Sequence, residues 1–127
     1  MPILIEFKST HFQAEPMPTN PIDQTAGGYS VGNWALNALG EIGCSTSSLE
    51  PNKWGWYINC SHLDRDYYIE FYQHVENRDQ FTIQIRNKRT VVERLLGKAR
   101  ITAEDSVPNG LIAALKSTDL VTEVECE

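Results

Sequence analysis

Basic residues are scarce in this chain. Eleven Lys and Arg stand against 17 Asp and Glu, leaving a net charge of −6. That balance excludes a general nucleic-acid binder, which needs concentrated cations to replace the counterions of phosphate. Cysteine is sparse as well: Cys44, Cys60 and Cys126 form no Cys-x-x-Cys and, being odd in number, cannot pair completely. They read as buried free thiols of a reducing compartment, so a cytoplasmic location is expected. No apolar run approaches the roughly 20 residues needed to span a bilayer. The opening Met1-Pro2-Ile3-Leu4-Ile5-Glu6 lacks the basic and apolar stretches of a signal peptide. No membrane association is expected. Phosphate-loop spacings are missing too, so Gly27-Gly28 reads as a tight turn before a helix.

What the chain does have is alternation. Its 127 residues, 41% of them hydrophobic, suit one domain over residues 1–127 with a modest core. Between Trp54 and Arg86 three strand-like runs follow one another. One face reads Trp56, Ile58, Cys60, then Tyr67, Ile69, Phe71, then Phe81, Ile83, Ile85. The other reads Tyr57, Asn59, Ser61, then Tyr68, Glu70, Tyr72, His74, then Thr82, Gln84, Arg86. Period-two alternation buries the first face and leaves the second to water or a partner. Parity predicts an antiparallel meander. Across a loop at Leu63–Asp66, Cys60 would face Ile69 and Ile58 would face Phe71, with Tyr57 opposite Tyr72, Asn59 opposite Glu70 and Ser61 opposite Tyr68. The next connection, near Glu76–Gln80, must be odd in length or bulged so that Phe71 meets Ile83 or Ile85.

The flanks supply the remaining elements. Ile3, Ile5 and Phe7 alternate in a first strand. Residues 9–28, with Pro16, Pro18, Pro21, Gly27 and Gly28, form a long loop that is either functional or disordered. Ser30 is the expected cap of a helix carrying Val31, Trp34, Ala35, Ala38, Leu39 and Ile42 at helical spacing, ended by Gly43. Cys44 to Asn52 is expected to be a polar loop. A short helix from Thr90 would place Val91, Val92, Leu95 and Leu96 on a core stripe. Pro108 fits the first position of another helix that buries Leu111, Ile112 and Leu115. Leu120 to Cys126 alternates as a last strand. The order β-α-β-β-β-(α)-α-β indicates the α+β class, an antiparallel meander with helices on one face.

Candidate chemistry is thin. Cys60-Ser61-His62 sets a nucleophile near a base, but Cys60 and His62 share the core face, with no orienting carboxylate or oxyanion hole in the sequence nearby. His62 and His74 fall on opposite faces, so Cys60, His62 and His74 do not make a zinc site. No metal, cofactor or catalytic residue is assigned, and the chain is not read as an enzyme. Asp64 and Asp66 belong to a hairpin loop where Asp bonds locally. Arg86 to Arg100 carries six basic residues and one acidic, while Ile101 to Glu127 carries one basic and six acidic. Such a dipolar surface suits association with a charged protein or is a pair of solvated faces. The tyrosine face keeps two readings. Tyr57, Tyr68 and Tyr72 are cross-strand pairs on a solvated sheet, or, with Asn59, Glu70 and His74, they bind a partner.

Asn20-Pro21, the helix Val31–Ile42 with its Trp34-Ala35-Leu36-Asn37-Ala38-Leu39 core, and Lys53-Trp54-Gly55-Trp56-Tyr57 resemble a group of small uncharacterised bacterial proteins. These share a Pro-rich lead, an amphipathic helix and a Trp-Gly-Trp strand. Size, acidity and a single α+β domain are also similar to the immunity proteins, which occlude bacterial toxins. The resemblance implies a small acidic inhibitor that neutralises a basic, toxin- or nuclease-like protein, steered by charge. Two other functions are kept. One is a ligand-binding protein or enzyme with a pocket between the sheet and residues 9–28, holding His11, His62 or Cys60. The other is a non-catalytic homodimer joined through the exposed sheet or the last strand.

Overall fold

Three long strands occupy the centre of the molecule, as their alternation requires. The computed structural model describes residues 2–15, 17–88, 93, 95–97, 101–102 and 104–127. Among them seven strands and three helices form an α+β structure. In chain order these are β1 (Ile3–Lys8), α1 (Thr10–Ala14), α2 (Tyr29–Glu41), β2 (Ser45–Thr46), β3 (Glu50–Pro51), β4 (Trp56–His62), β5 (Arg65–Gln73), β6 (Gln80–Asn87), α3 (Ser106–Ser117) and β7 (Thr122–Cys126). The sheet runs β2-β4-β5-β6-β1-β7, with β3 also on β4, and every pair is antiparallel.

The predicted core face is buried without exception. Ile58, Ile69, Phe71, Phe81, Ile83 and Ile85 are sealed from solvent, as is Ile5 of β1. Each such side chain contributes about 1.5–3 kcal/mol relative to exposure. Val31, Ala35 and Leu39 of α2, Val107, Leu111 and Leu115 of α3, and Phe12 of α1 join the same cluster. All three helices therefore bury their apolar sides against one face of the sheet.

Two-sidedness was predicted correctly, but the first register was not. Ile58 pairs with Ile69, Trp56 with Phe71, Tyr57 with Glu70, Asn59 with Tyr68 and Ser61 with Asp66. The hairpin closes two residues earlier than expected because Leu63 and Asp64 alone make the turn, both at positive φ (51° and 63°). That backbone matches the strand twist but usually calls for Asn or Gly, so the sequence hides it. A shift of two preserves every facing. The second hairpin follows the parity expected of it, with Phe71 opposite Ile83.

Other expectations need correction. The expected loop over residues 9–28 contains a helix at Thr10–Ala14. Ser9 caps the short helix α1 through the Phe12 N–H at 3.0 Å, and Phe12 enters the core. The Cys44–Asn52 loop contributes two short edge strands. Helix α2 begins at Tyr29 behind Gly28 (φ 117°), where a Cβ would collide with the Phe71 carbonyl oxygen. Ser30 instead donates to the Phe12 carbonyl at 3.1 Å. The end of α2 matches expectation: Gly43 N–H reaches Gly40 O at 3.1 Å and Cys44 N–H reaches Leu39 O at 3.0 Å, a Schellman closure. Pro108 occupies the third position of α3 rather than the first, still within the turn whose N–H groups need no helical partner. Trp34 and Ile112 are only half-buried and Ile42 is exposed, so the core stripes are narrower than predicted. Leu95 and Leu96 are exposed rather than core, whereas Thr90, Val91 and Val92 lie outside the described residues. Of the basic run, Arg89, Arg94, Lys98 and Arg100 lie outside them too.

The loop is tied down by Asn20, which is 1% exposed. Its amide donates to Asn52 O at 3.1 Å and Gly55 O at 2.6 Å, and its oxygen accepts from the Ile22 and Asp23 N–H groups at 2.8 and 3.2 Å. Asn20→Ala removes four hydrogen bonds made by a buried side chain, so urea denaturation should show a loss of about 2–4 kcal/mol. A loss under about 0.5 kcal/mol, the level of an ordinary surface change, would remove Asn20 from that role.

Candidate functional site

The face opposite the helices is built by the even-numbered residues of β5 and β6 and the odd-numbered residues of β4. Glu70 sits at its middle, between Tyr57 on β4 and Gln84 on β6. It was expected in the open, yet its side chain is only 10% exposed. Asn52 donates to one carboxylate oxygen at 3.1 Å. The Tyr72 hydroxyl, two residues along the strand, donates to the same carboxylate. Arg86 is its cation, with Nε 3.8 Å from the other oxygen. Gln84, its amide oxygen turned to the guanidinium, accepts from the same Nε at 3.1 Å.

Asn52 organises this arrangement. Its oxygen accepts from the Trp54 and Gly55 N–H groups at 3.1 and 2.7 Å, folding the turn that carries Trp54. Its amide also reaches the Tyr68 hydroxyl. Gly55 is required there, since a Cβ would strike the Phe71 carbonyl oxygen. Trp54 is left 65% exposed under the ammonium of Lys53, 5.1 Å from the ring centroid.

Beside Glu70 lies an open concavity of about 640 Å³ whose walls include Trp54, Tyr72, His74, Val75 and Arg86. Of the predicted partner-binding residues, Glu70, Tyr72 and His74 line it. Tyr57, Asn59 and Tyr68 lie on the same face toward β4, Tyr57 and Tyr68 with ring centroids 5.1 Å apart. Asn59 accepts from Lys88 at 2.7 Å. His74 falls just past the end of β5 and hydrogen-bonds Thr82 Oγ1 at 3.0 Å. Asn52, Trp54 and Val75 were missed. The Asn-x-x-Gly spacing at Asn52 was the available signal, since Asn closes such turns with its own side chain.

The residues of the alternative pocket do not converge. His62 Nδ1 is bonded to Ser106 Oγ at 2.7 Å, at the start of α3. His11 is half-exposed on α1, 4.0 Å from Glu15. Cys60 is in the core against Cys44. Burial, then the neighbouring Cys44, pushes the Cys60 thiol up to about 12. Burial also raises Cys44, with the bond to Cys60 acting against it. Cys126 is exposed rather than buried. A thiol reagent at neutral pH should therefore modify Cys126 first, with Cys60 protected until urea unfolds the chain. Peptide mapping that finds Cys60 modified as fast as Cys126 would contradict this placement.

Burial, then the hydrogen bond to Glu70 and its negative charge, raises the Tyr72 hydroxyl above its ordinary value of 10.0. Tyr68 is raised chiefly by burial, and Tyr67 likewise. The folded chain thus holds protons that the unfolded chain releases near pH 10. Their stabilisation is full below that pH and is lost as pH rises. Urea midpoints should fall from about pH 9 to about pH 11, and Tyr72→Phe should make the fall shallower. An unchanged slope in that variant would mean that Tyr72 ionises freely in the folded state.

The chain matches no protein-family model, no curated protein and no solved structure.

Proposed function

We propose that this chain is a small acidic protein-binding module that occludes a basic partner, as an immunity protein or other inhibitor does with a toxin- or nuclease-like protein. The observation that carries the reading is the open sheet face, where three tyrosines surround a nearly buried carboxylate beside a concavity. Tyrosine offers rigid contact area with a polar tip, the composition of interface hot spots. The net charge of −6 would speed encounter with a cationic target. Three unpaired thiols accord with a cytoplasmic site of action.

The two other readings have less behind them. A pocket chemistry would need His11, His62 or Cys60 to meet, and each is engaged elsewhere. Dimerisation through the last strand is opposed by that edge itself. It carries Glu123 and Glu125, with Glu123 at φ 54° and a register break against β1, features that block strand addition.

The test is a binding measurement on a partner captured from the native lysate and then purified. Association should slow at least about tenfold between low salt and about 0.5 M. Tyr72→Ala should raise Kd by about 30-fold, the scale of a hot spot, with the melting temperature recorded beside it. A rate indifferent to salt, with affinity indifferent to Tyr57→Ala and Tyr72→Ala, would remove the face from the function.

A further inference from the structure

We infer that the concavity beside Glu70 receives an arginine side chain presented by the basic partner, an inference that rests on the partner-binding reading. It starts from an incomplete ion pair. The Glu70 carboxylate is largely withdrawn from water, yet its cation stands at 3.8 Å, well outside the roughly 2.7–2.9 Å of a close charge-assisted bond. Its other donors, Asn52 and the Tyr72 hydroxyl, are neutral. A desolvated carboxylate without a close cation gains most from a further charged donor.

The walls select the kind of cation. Trp54 and Val75 are each 65% exposed and, with Leu4 and Tyr72, give the concavity apolar sides. These suit the stem of a long side chain and the flat face of a guanidinium, which stacks on aromatic rings and is less hydrated than an ammonium. About 640 Å³ is within the range of small-ligand sites, so one such side chain enters without displacing the walls. Arg86 does not close the site against it. Its side chain is 55% exposed and already shared with Gln84, so it can turn to solvent while the incoming guanidinium takes Glu70. Lysine would reach the same carboxylate as a point charge but would lose the stacking.

The probe is N-acetyl-arginine methylamide, whose caps remove the backbone charges. It is titrated into the full chain beside the neutral citrulline and the anionic glutamate analogues. Nitrogen–proton spectra should show saturable shifts at the Trp54 indole and at the Glu70 and Tyr72 amides with the arginine analogue, at millimolar affinity. Citrulline should bind at least about tenfold more weakly. Glu70→Gln, which keeps acceptors for Asn52 and Tyr72, should abolish the shifts. Trp54→Ala, at an exposed position that the fold does not need, should weaken binding several-fold. Equal binding of citrulline, preferential binding of the glutamate analogue at Arg86, or no shift at these residues would overturn the inference. The outcome is separable from the partner reading. A partner that still depends on Tyr72 with an unresponsive concavity removes the arginine and leaves the interface. A responsive concavity with no Tyr72-dependent partner does the reverse.

Discussion

Slide β5 by one residue and Ile69 and Phe71 would point to water while Tyr68, Glu70 and Tyr72 entered the core. The whole structure rests on that parity, because β5 is paired along its length with β4 on one side and β6 on the other. Among the described residues all three helices add their apolar residues to the same buried cluster, and the second face carries polar groups suited to water. Tyrosine serves such a face in two ways. Its ring covers the sheet and its hydroxyl remains a hydrogen-bonding group. The face is therefore fixed by packing before any question of function arises.

One end of the sheet carries a second constraint. Asn20, Asn52, Gly28 and Gly55 draw two connections together there, the one before α2 and the one before β4. Close backbone approach leaves no room for a Cβ at either glycine. The amides of Asn20 and Asn52 hydrogen-bond the backbone of these connections. Trp54 sits at the tip of the second connection, exposed on a turn that Asn52 holds. The same interactions that stabilise the N-terminal loop thus form the wall of the candidate site.

Much of this could be seen in the residue pattern, and what could not has physical reasons. The two faces of the meander were legible because nine alternating apolar positions leave no other arrangement. The first register was not, since Leu63 and Asp64 adopt positive φ without the Gly or Asn that advertises it. Helix α1 is a single capped turn held by Phe12, too short for periodicity to reveal. Strands β2 and β3 have two residues each and exist only because β4 offers an edge. Of the six residues assigned to the site, Glu70, Tyr72 and His74 share the concavity while Tyr57, Asn59 and Tyr68 lie beside it. That Glu70 would be nearly buried was invisible, because its cover comes from Asn52, eighteen residues earlier.

Glu70 is the point where stability and recognition oppose each other. A carboxylate this withdrawn from water carries a desolvation cost, set here against a guanidinium at 3.8 Å and two neutral donors. A Thr or Val in its place would cover the sheet without that penalty, as Thr82 does one strand away. Nor does packing call for charge here, since the core lies on the other side. Tyr72 is affected as well, its hydroxyl held protonated by burial first and then by the carboxylate it serves. A residue that fold stability does not demand, kept desolvated at the edge of an open concavity, is more economically explained by what it meets than by what it holds together.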